Sequence, residues 1–345
     1  MKLIKTVDAV GHVLCHDITQ IIKDEKKGVV FKKGHIVREE DIPVLLSVGK
    51  ENLYIWEKQE GMLHENEAAQ ILHDICKNKY MTSGEVKEGK ISLYADVEGL
   101  FKLDAEKLVE INSLGDIIIA TRHGNTVVKN GDELVGTRVI PLIIEESKMK
   151  EAQAVAEGKP IMEIIPFKHK RVGIVTTGSE IFKGRIKDTF GPVIINKVSE
   201  FDTEIMGQKI VGDEKKDITD AIMSFIEEGA DLVCCTGGMS VDPDDNTPGA
   251  IKDTGADIIT YGAPVLPGAM MLLSYYNHNG KVVTIVGLPG CVMYNHRTIF
   301  DILLPRIMAD DIISKKDIAK LGMGGLCLHC KVCTYPNCGY GKGTY

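Results

Sequence analysis

The chain of 345 residues carries 41 Lys and Arg against 49 Asp and Glu, a formal charge of −8, with 44% apolar and 26% charged residues. That balance excludes collagen-like, heptad-built and low-complexity chains, and an acidic chain with 8 Phe, 10 Tyr and 1 Trp is a poor nucleic-acid binder. No apolar run approaches the ~18–20 residues of a membrane span, and residues 1–10 lack the ~7–15 apolar residues of a secretory signal, so a cytoplasmic protein of about two or three domains is expected.

Residues 1–165 alternate short apolar runs with Gly turns and predict a mixed α/β, strand-rich domain. Residues 28–37 predict a strand pair around Lys33-Gly34. Residues 38–48 set Ile42, Leu45, Leu46 and Val48 at near-helical spacing behind the acidic turn Glu39-Glu40-Asp41. Residues 52–57 predict a strand with Trp56 in the core. Residues 65–77 predict a helix with Ala68, Ala69, Leu72, Ile75 and Cys76 on one face. Residues 89–144 predict strands, with a hairpin turn at Asn130-Gly131. The charged, Ala-rich 145–159 predicts a connecting helix or linker.

Residues 170–309 change rhythm. A short buried strand is predicted at 171–176, further strands at 205–211, 230–236 and 282–286, and helices from Gly191-Pro192, from Asp217 to Glu228, from Thr247-Pro248 and over 292–308. Strands alternating with helices mean βαβ units and a doubly wound, mostly parallel sheet. Ligands of such sheets sit outside the C-terminal strand edge, which places function on the loops after the strands.

Those loops carry no G-x-x-x-x-G-K-[ST], no Rossmann G-x-G-x-x-G, no H-E-x-x-H and no G-x-S-x-G. They hold Thr176-Thr177-Gly178-Ser179-Glu180, then Thr236-Gly237-Gly238-Met239-Ser240-Val241-Asp242-Pro243-Asp244-Asp245, then Gly287-Leu288-Pro289-Gly290. Paired glycines at a strand end let backbone approach a ligand closely, and free N–H groups ahead of a helix favour an anion. Thr236 and Ser240 add hydroxyls. A phosphate cradle and a tight, ligand-free turn both satisfy this pattern. Glu180, Asp188, Asp213, Asp242, Asp244 and Asp245 fall on the same edge. Acids weaken a bare anion site unless a hard cation joins them, so together they point to Mg²⁺ with a phosphate ligand. Lys183, Arg185 and Lys187 share one loop and either face the anion or are solvated.

In order and spacing, these segments resemble the molybdopterin-binding domain of molybdenum-cofactor biosynthesis proteins. The matching residues are Thr177-Gly178-Ser179-Glu180, Lys187-Asp188 ahead of Gly191-Pro192, Val211-Gly212-Asp213, Thr236 through Asp245, Pro267-Gly268 and Gly287-Leu288-Pro289-Gly290. Phe31-Lys32-Lys33-Gly34, Glu40-Asp41-Ile42 and Ser47-Val48-Gly49 are similar, less closely, to the N-terminal part of molybdopterin molybdotransferases. The resemblance implies that Gly237, Gly238 and Ser240 bind the pterin's terminal phosphate, with Thr177, Gly178, Ser179, Thr236, Pro289 and Gly290 around it. It implies that Glu180 and Asp245 handle Mg²⁺ and molybdate, and that Asp188 and Asp213 stand where the adenylyl-transferring branch has acids. The implied activity is insertion of molybdate into adenylylated molybdopterin with release of AMP. The alternatives are a non-catalytic molybdopterin carrier or sensor docking on a molybdoenzyme, and a molybdopterin adenylyltransferase. A homo-oligomer is expected. The transferases usually continue Pro-Gly with Asn-Pro, where this chain reads Pro289-Gly290-Cys291-Val292.

Residues 310–345 read as a linker and a Cys-rich, metal-binding tail. Of nine cysteines, Cys327, Cys330, Cys333 and Cys338 crowd together. Cytosolic thiols stay reduced, and the spacing C-x2-C-x2-C-x4-C suits an iron–sulfur cluster or zinc, with His329 as a further nitrogen. Free or transient thiols are the alternative. The Gly-rich 322–345 is expected to take its order from that metal, and its lack of acids also suits docking on an acidic partner. Tyr335 and Tyr340 are expected to pack, and Cys15, Cys76, Cys234 and Cys235 to lie in the core. His12, His16, His64, His73, His123 and His169 show no ligand spacing.

Overall fold

The computed structural model describes residues 2–22, 26–55, 60–87 and 89–343, so Trp56 lies outside the described residues. They form two compact units: Met1–Tyr94 with Ala105–Arg122 and Asp132–Met162, and Ala95–Asp104 with His123–Gly131 and Glu163–Tyr345. The division is not one cut near residue 165. Gly99–Leu103 and Thr126–Val128 join Met162–Pro166 in a three-stranded sheet, and this carries two segments of the N-terminal half into the C-terminal unit.

In the first unit, Lys2–Lys5 pairs antiparallel with Asn52–Ile55 over a core that includes Leu14, Ile18, Leu45 and Leu53. Lys26–Phe31 pairs with Ile18–Ile22 and not across Lys33-Gly34; Ile36 makes only an isolated bridge to Val13. Helix Glu65–Cys76 buries Ala68, Ala69, Leu72 and Cys76 as its apolar spacing requires. Within the region that reads as strands lies a helix, Ala105–Ser113, which buries only Ile111 and so leaves a faint periodic signal. The Asn130-Gly131 turn does not close a hairpin. Thr126–Val128 pairs with Gly99–Leu103, whereas Glu133–Val139 pairs with Lys90–Ala95 and Ile117–Thr121. A turn dipeptide fixes local chain reversal, not the strand partner. Glu146–Ala156 buries Met149 and Ala152 and is therefore a packed helix of this unit, not a linker.

The C-terminal unit is built on six strands: β1 Lys170–Thr177, β2 Thr203–Val211, β3 Leu232–Thr236, β4 Asp257–Tyr261, β5 Leu272–His278 and β6 Lys281–Leu288. Their order is β2-β1-β3-β6-β5-β4. The first four are mutually parallel, and β5 and β4 run antiparallel at one edge. The helices are α1 Ser179–Phe182, α2 Phe190–Val198, α3 Lys215–Glu227, α4 Thr247–Asp253, α5 Ile299–Met308 and α6 Lys315–Lys320.

Both faces of the inner strands are covered, which is why those strands are nearly continuous apolar runs. Val172, Ile174, Leu232, Cys234, Val286 and Leu288 enter one core with α2 and α5. Val175, Val233, Cys235 and Ile285 enter the other with α3 and α4. Each such side chain stabilises the fold by roughly 1.5–3 kcal/mol. Cys15, Cys76, Cys234 and Cys235 are all buried, and burial pushes the Cys76 thiol up to about 12.

The helix expected over 292–308 is two elements. A 3-10 turn, Gly290–Met293, precedes α5, which starts at a reciprocal cap: Phe300 N–H donates to Thr298 Oγ1 at 3.3 Å and Thr298 N–H to Asp301 Oδ2 at 2.7 Å. The tail is not a bare linker either. Ile313 and Ile318 are buried in the α5 core together with Tyr340, and Tyr335 packs against it. Tyr340 Oη donates to Pro267 O at 3.1 Å and Tyr335 Oη to Asp301 O at 3.2 Å, so both tyrosines pack as expected. No helix among the described residues is long and apolar enough to cross a membrane.

Candidate functional site

The C-terminal ends of β1, β3 and β6 meet at one edge of the sheet, and the glycine-rich loops leave from there. The loop after β3 runs against the loop after β1 backbone to backbone. A Cβ on Gly237 (φ +87°) would lie 2.3 Å from Thr177 O, and one on Gly238 (φ +54°) 3.0 Å from Thr247 Oγ1. Thr247 Oγ1 donates to Gly237 O at 2.8 Å and lies 3.2 Å from Thr177 Oγ1. Gly237 is thus required by the packing of two loops, whatever ligand they hold. Thr236 and Thr177 are buried, and Thr236 Oγ1 is turned to Thr176 Oγ1 at 3.3 Å. Their hydroxyls serve the loop scaffold.

Beyond the glycines the loop opens. Met239 is buried against Gly287 of β6, where a Cβ would come within 2.6 Å of its sulfur. Ser240 is exposed. Among the described residues, the N–H groups of Met239 and Ser240 and the Ser240 hydroxyl have no protein partner. The carbonyls of the same two residues are held: Tyr261 Oη donates to Met239 O, which shares its peptide with the Ser240 N–H, at 2.9 Å and to Ser240 O at 3.1 Å. Burial, with the Asp245 charge nearby, raises the Tyr261 pKa above its ordinary value and keeps the phenol a donor. Tyr261 ends the edge strand β4, far in sequence from the loop it braces, and no sequence motif marks it.

The acids divide by task. Asp213 Oδ2 accepts the Ser179 N–H at 2.9 Å and its carbonyl accepts Asn246 Nδ2 at 2.9 Å, tying the first loop to the third. Asp188 accepts the N–H groups of Phe190 (2.9 Å) and Gly191 (3.0 Å) and Gln208 Nε2 (2.7 Å), anchoring the start of α2 to β2. Asp245 Oδ2 folds back on the Asp242 N–H at 3.1 Å. Glu180 is exposed, its carboxylate lying over Gly178, whose φ is +139°. Lys183, Arg185 and Lys187 are exposed. Pro289 and Gly290 lead into the 3-10 turn, where Thr189 Oγ1 donates to Met293 Sδ at 3.2 Å. Among the described residues no three His, Cys, Asp or Glu side chains are grouped closely enough to hold a metal ion by themselves.

The tail cysteines lie elsewhere in the same unit. Cys327, Cys330, Cys333 and Cys338 all line one cavity of about 540 Å³ between the tail and residues 294–297. Cys330 and Cys333 are exposed, Cys327 and Cys338 half-buried.

These features define an α/β domain with a doubly wound, mostly parallel sheet and open hydrogen-bond donors at the C-terminal edge of its strands. Residues 173–309 match the family model described as a probable molybdopterin binding domain, and that part of the chain is a domain of this type. Residues 3–57 match a model described as a domain of unknown function, DUF8806. Over 77 residues the chain is 38% identical to the CinA-like protein of Mycobacterium tuberculosis (strain ATCC 25177 / H37Ra), a match that covers 22% of this chain and 18% of that relative. Similar solved structures include the molybdopterin biosynthesis enzyme MoaB of Thermus thermophilus (22% identity, TM-score 0.32, 40% of this chain and 91% of that one). Another is the protein CinA of Thermoplasma acidophilum (20% identity, TM-score 0.32, 40% and 98%).

Proposed function

We propose that the chain binds molybdopterin at the loop after β3 and inserts molybdate into the adenylylated form, releasing AMP. The observation that carries this reading is the pair of free N–H groups at Met239 and Ser240, with the Ser240 hydroxyl beside them, braced from behind by Tyr261. Preorganised donors of this kind suit a terminal phosphate. Gly237 and Gly238 set the loop's path, Thr177, Gly178, Ser179 and Thr236 form its inner wall, and Pro289 and Gly290 border it.

Glu180 and Asp245, which lie at the rim with the exposed Asp242 and Asp244, would hold Mg²⁺, which would neutralise phosphate charge. The donor set suits it: this ion takes one or two carboxylates and fills the rest of its shell with phosphate and water, so a three-carboxylate cage is not needed. Asp188 and Asp213 are already committed to loop hydrogen bonds. On this reading those two acids shape the loops, whereas adenylyl transfer would make them central. On the same reading, the tail cysteines hold a separate metal centre, and the protein works in the cytoplasm as a homo-oligomer that passes its product to a molybdoenzyme.

Turnover with adenylylated molybdopterin and molybdate, read as AMP release, tests the reading against ATP with free molybdopterin. Glu180→Ala and Asp245→Ala are expected to cut Mg²⁺-dependent turnover at least tenfold while leaving pterin affinity within a few-fold. Full turnover in both variants would remove them as metal ligands. Tight pterin binding with no turnover on either substrate pair would make the chain a carrier.

A further inference from the structure

We infer that the tail cavity binds a polynuclear iron–sulfur cluster and not a single zinc ion; this deepens the reading of the four tail cysteines as metal ligands and rests on it. The four thiols come from one short stretch, yet they line a common cavity of about 540 Å³. A lone ion needs no cavity beyond its ligand shell, whereas volumes of about 300–1,000 Å³ are those that enclose small molecules and cofactors.

Zinc draws all its thiolates to about 2.3 Å of one ion, whereas a four-iron cluster holds each thiolate on a different iron, so its sulfurs ring a volume. All four tail cysteines line the same space.

The walls of the cavity are fixed in a way a cluster site needs. Tyr335 and Tyr340 line it, stand edge to face with centroids 6.4 Å apart, and are pinned to Asp301 O and Pro267 O. Backbone bonds from Leu266 N to Gly325 O (2.7 Å) and from Cys327 N to Leu266 O (2.8 Å) fix the first cysteine on the same body. Arg297 lines the cavity with its guanidinium 5.4 Å from the Tyr335 ring, paired to Glu200 and Asp301, and no Asp or Glu occurs in the sequence after Asp317.

The full-length chain, purified without oxygen or chelator and then incubated with equal amounts of ferric and ferrous iron and with sulfide, is assayed for iron, acid-labile sulfide and zinc, with zinc alone as a parallel arm. About four iron and four sulfide per chain, with broad visible charge-transfer absorption, are expected. Both should fall at least fivefold in the double variant Cys330→Ser/Cys333→Ser. These two positions are exposed, so with both proteins freed of metal the melting profile should stay that of the parent; Cys291→Ser, outside the four, should keep full iron. One equivalent of zinc and no stable iron would overturn the cluster while leaving a metal centre in the tail. Less than a tenth of an equivalent of any metal would overturn both.

Discussion

Gly237 and Ser240 sit three positions apart in one loop, and the physics separates their roles. A side chain at Gly237 meets the Thr177 carbonyl at 2.3 Å in a backbone with φ +87°. Gly237→Ala is therefore expected to destabilise the C-terminal unit by at least about 1–3 kcal/mol before any ligand is considered, visible as a lower urea midpoint. Ser240 is exposed and bonded to no protein group among the described residues. Ser240→Ala should leave the urea midpoint unchanged and remove one hydrogen bond to a charged phosphate, about 1.5–3 kcal/mol, or roughly 10- to 150-fold in Kd for molybdopterin by titration calorimetry. Unchanged affinity would take Ser240 out of the site. The contrast shows the limit of a glycine signature. Paired glycines announce close approach, but not whether a ligand or another stretch of backbone does the approaching. Tyr261 shows the converse, since a brace supplied from an edge strand leaves no local pattern to read.

At the scale of elements, alternation was legible where burial was two-sided. β1, β3 and β6 are buried runs and stand out in the sequence, whereas the edge strand β4 is only half-buried and offers no such run. Helix starts are legible from their caps. The apolar run from Val292 suggests one long helix, yet Thr298-x-x-Asp301 is the chemical start signal and α5 obeys it. Asp301 does more than cap. It is buried, and its carboxylate accepts from Lys197 Nζ at 2.6 Å and Arg297 Nη1 at 3.0 Å. Removing it leaves the nearly buried Lys197 without its carboxylate, while Arg297 keeps Glu200, so Asp301→Ala should cost about 3–5 kcal/mol. Asp301→Asn keeps the shape and the cap and should cost less. Equal midpoints for the wild type and both variants in denaturant unfolding would show that this network does not hold α5 in place.

At the scale of the molecule, the tail is part of the C-terminal unit's core. Residues 310–345 read as a linker because their apolar residues are sparse and set among charges; Ser314-x-x-Asp317 is a capping box all the same, and it starts α6. Ile313 is fully buried and Ile318 only 2% exposed, both in the core that α5 fills. Two such side chains stabilise by about 3–6 kcal/mol, and at ~2–4 °C per kcal/mol for a unit of this size a chain ending at Asp310 should melt about 6–24 °C below the full chain. Replacing Cys330 and Cys333 by Ser removes the proposed metal ligands but no buried surface, so that variant should melt with the parent in the absence of metal. Scanning calorimetry of the three proteins, each freed of metal, separates the two roles of the tail. An unchanged melting temperature in the truncated chain would mean that Ile313 and Ile318 contribute nothing to the core, and the tail would then act only through its cysteines.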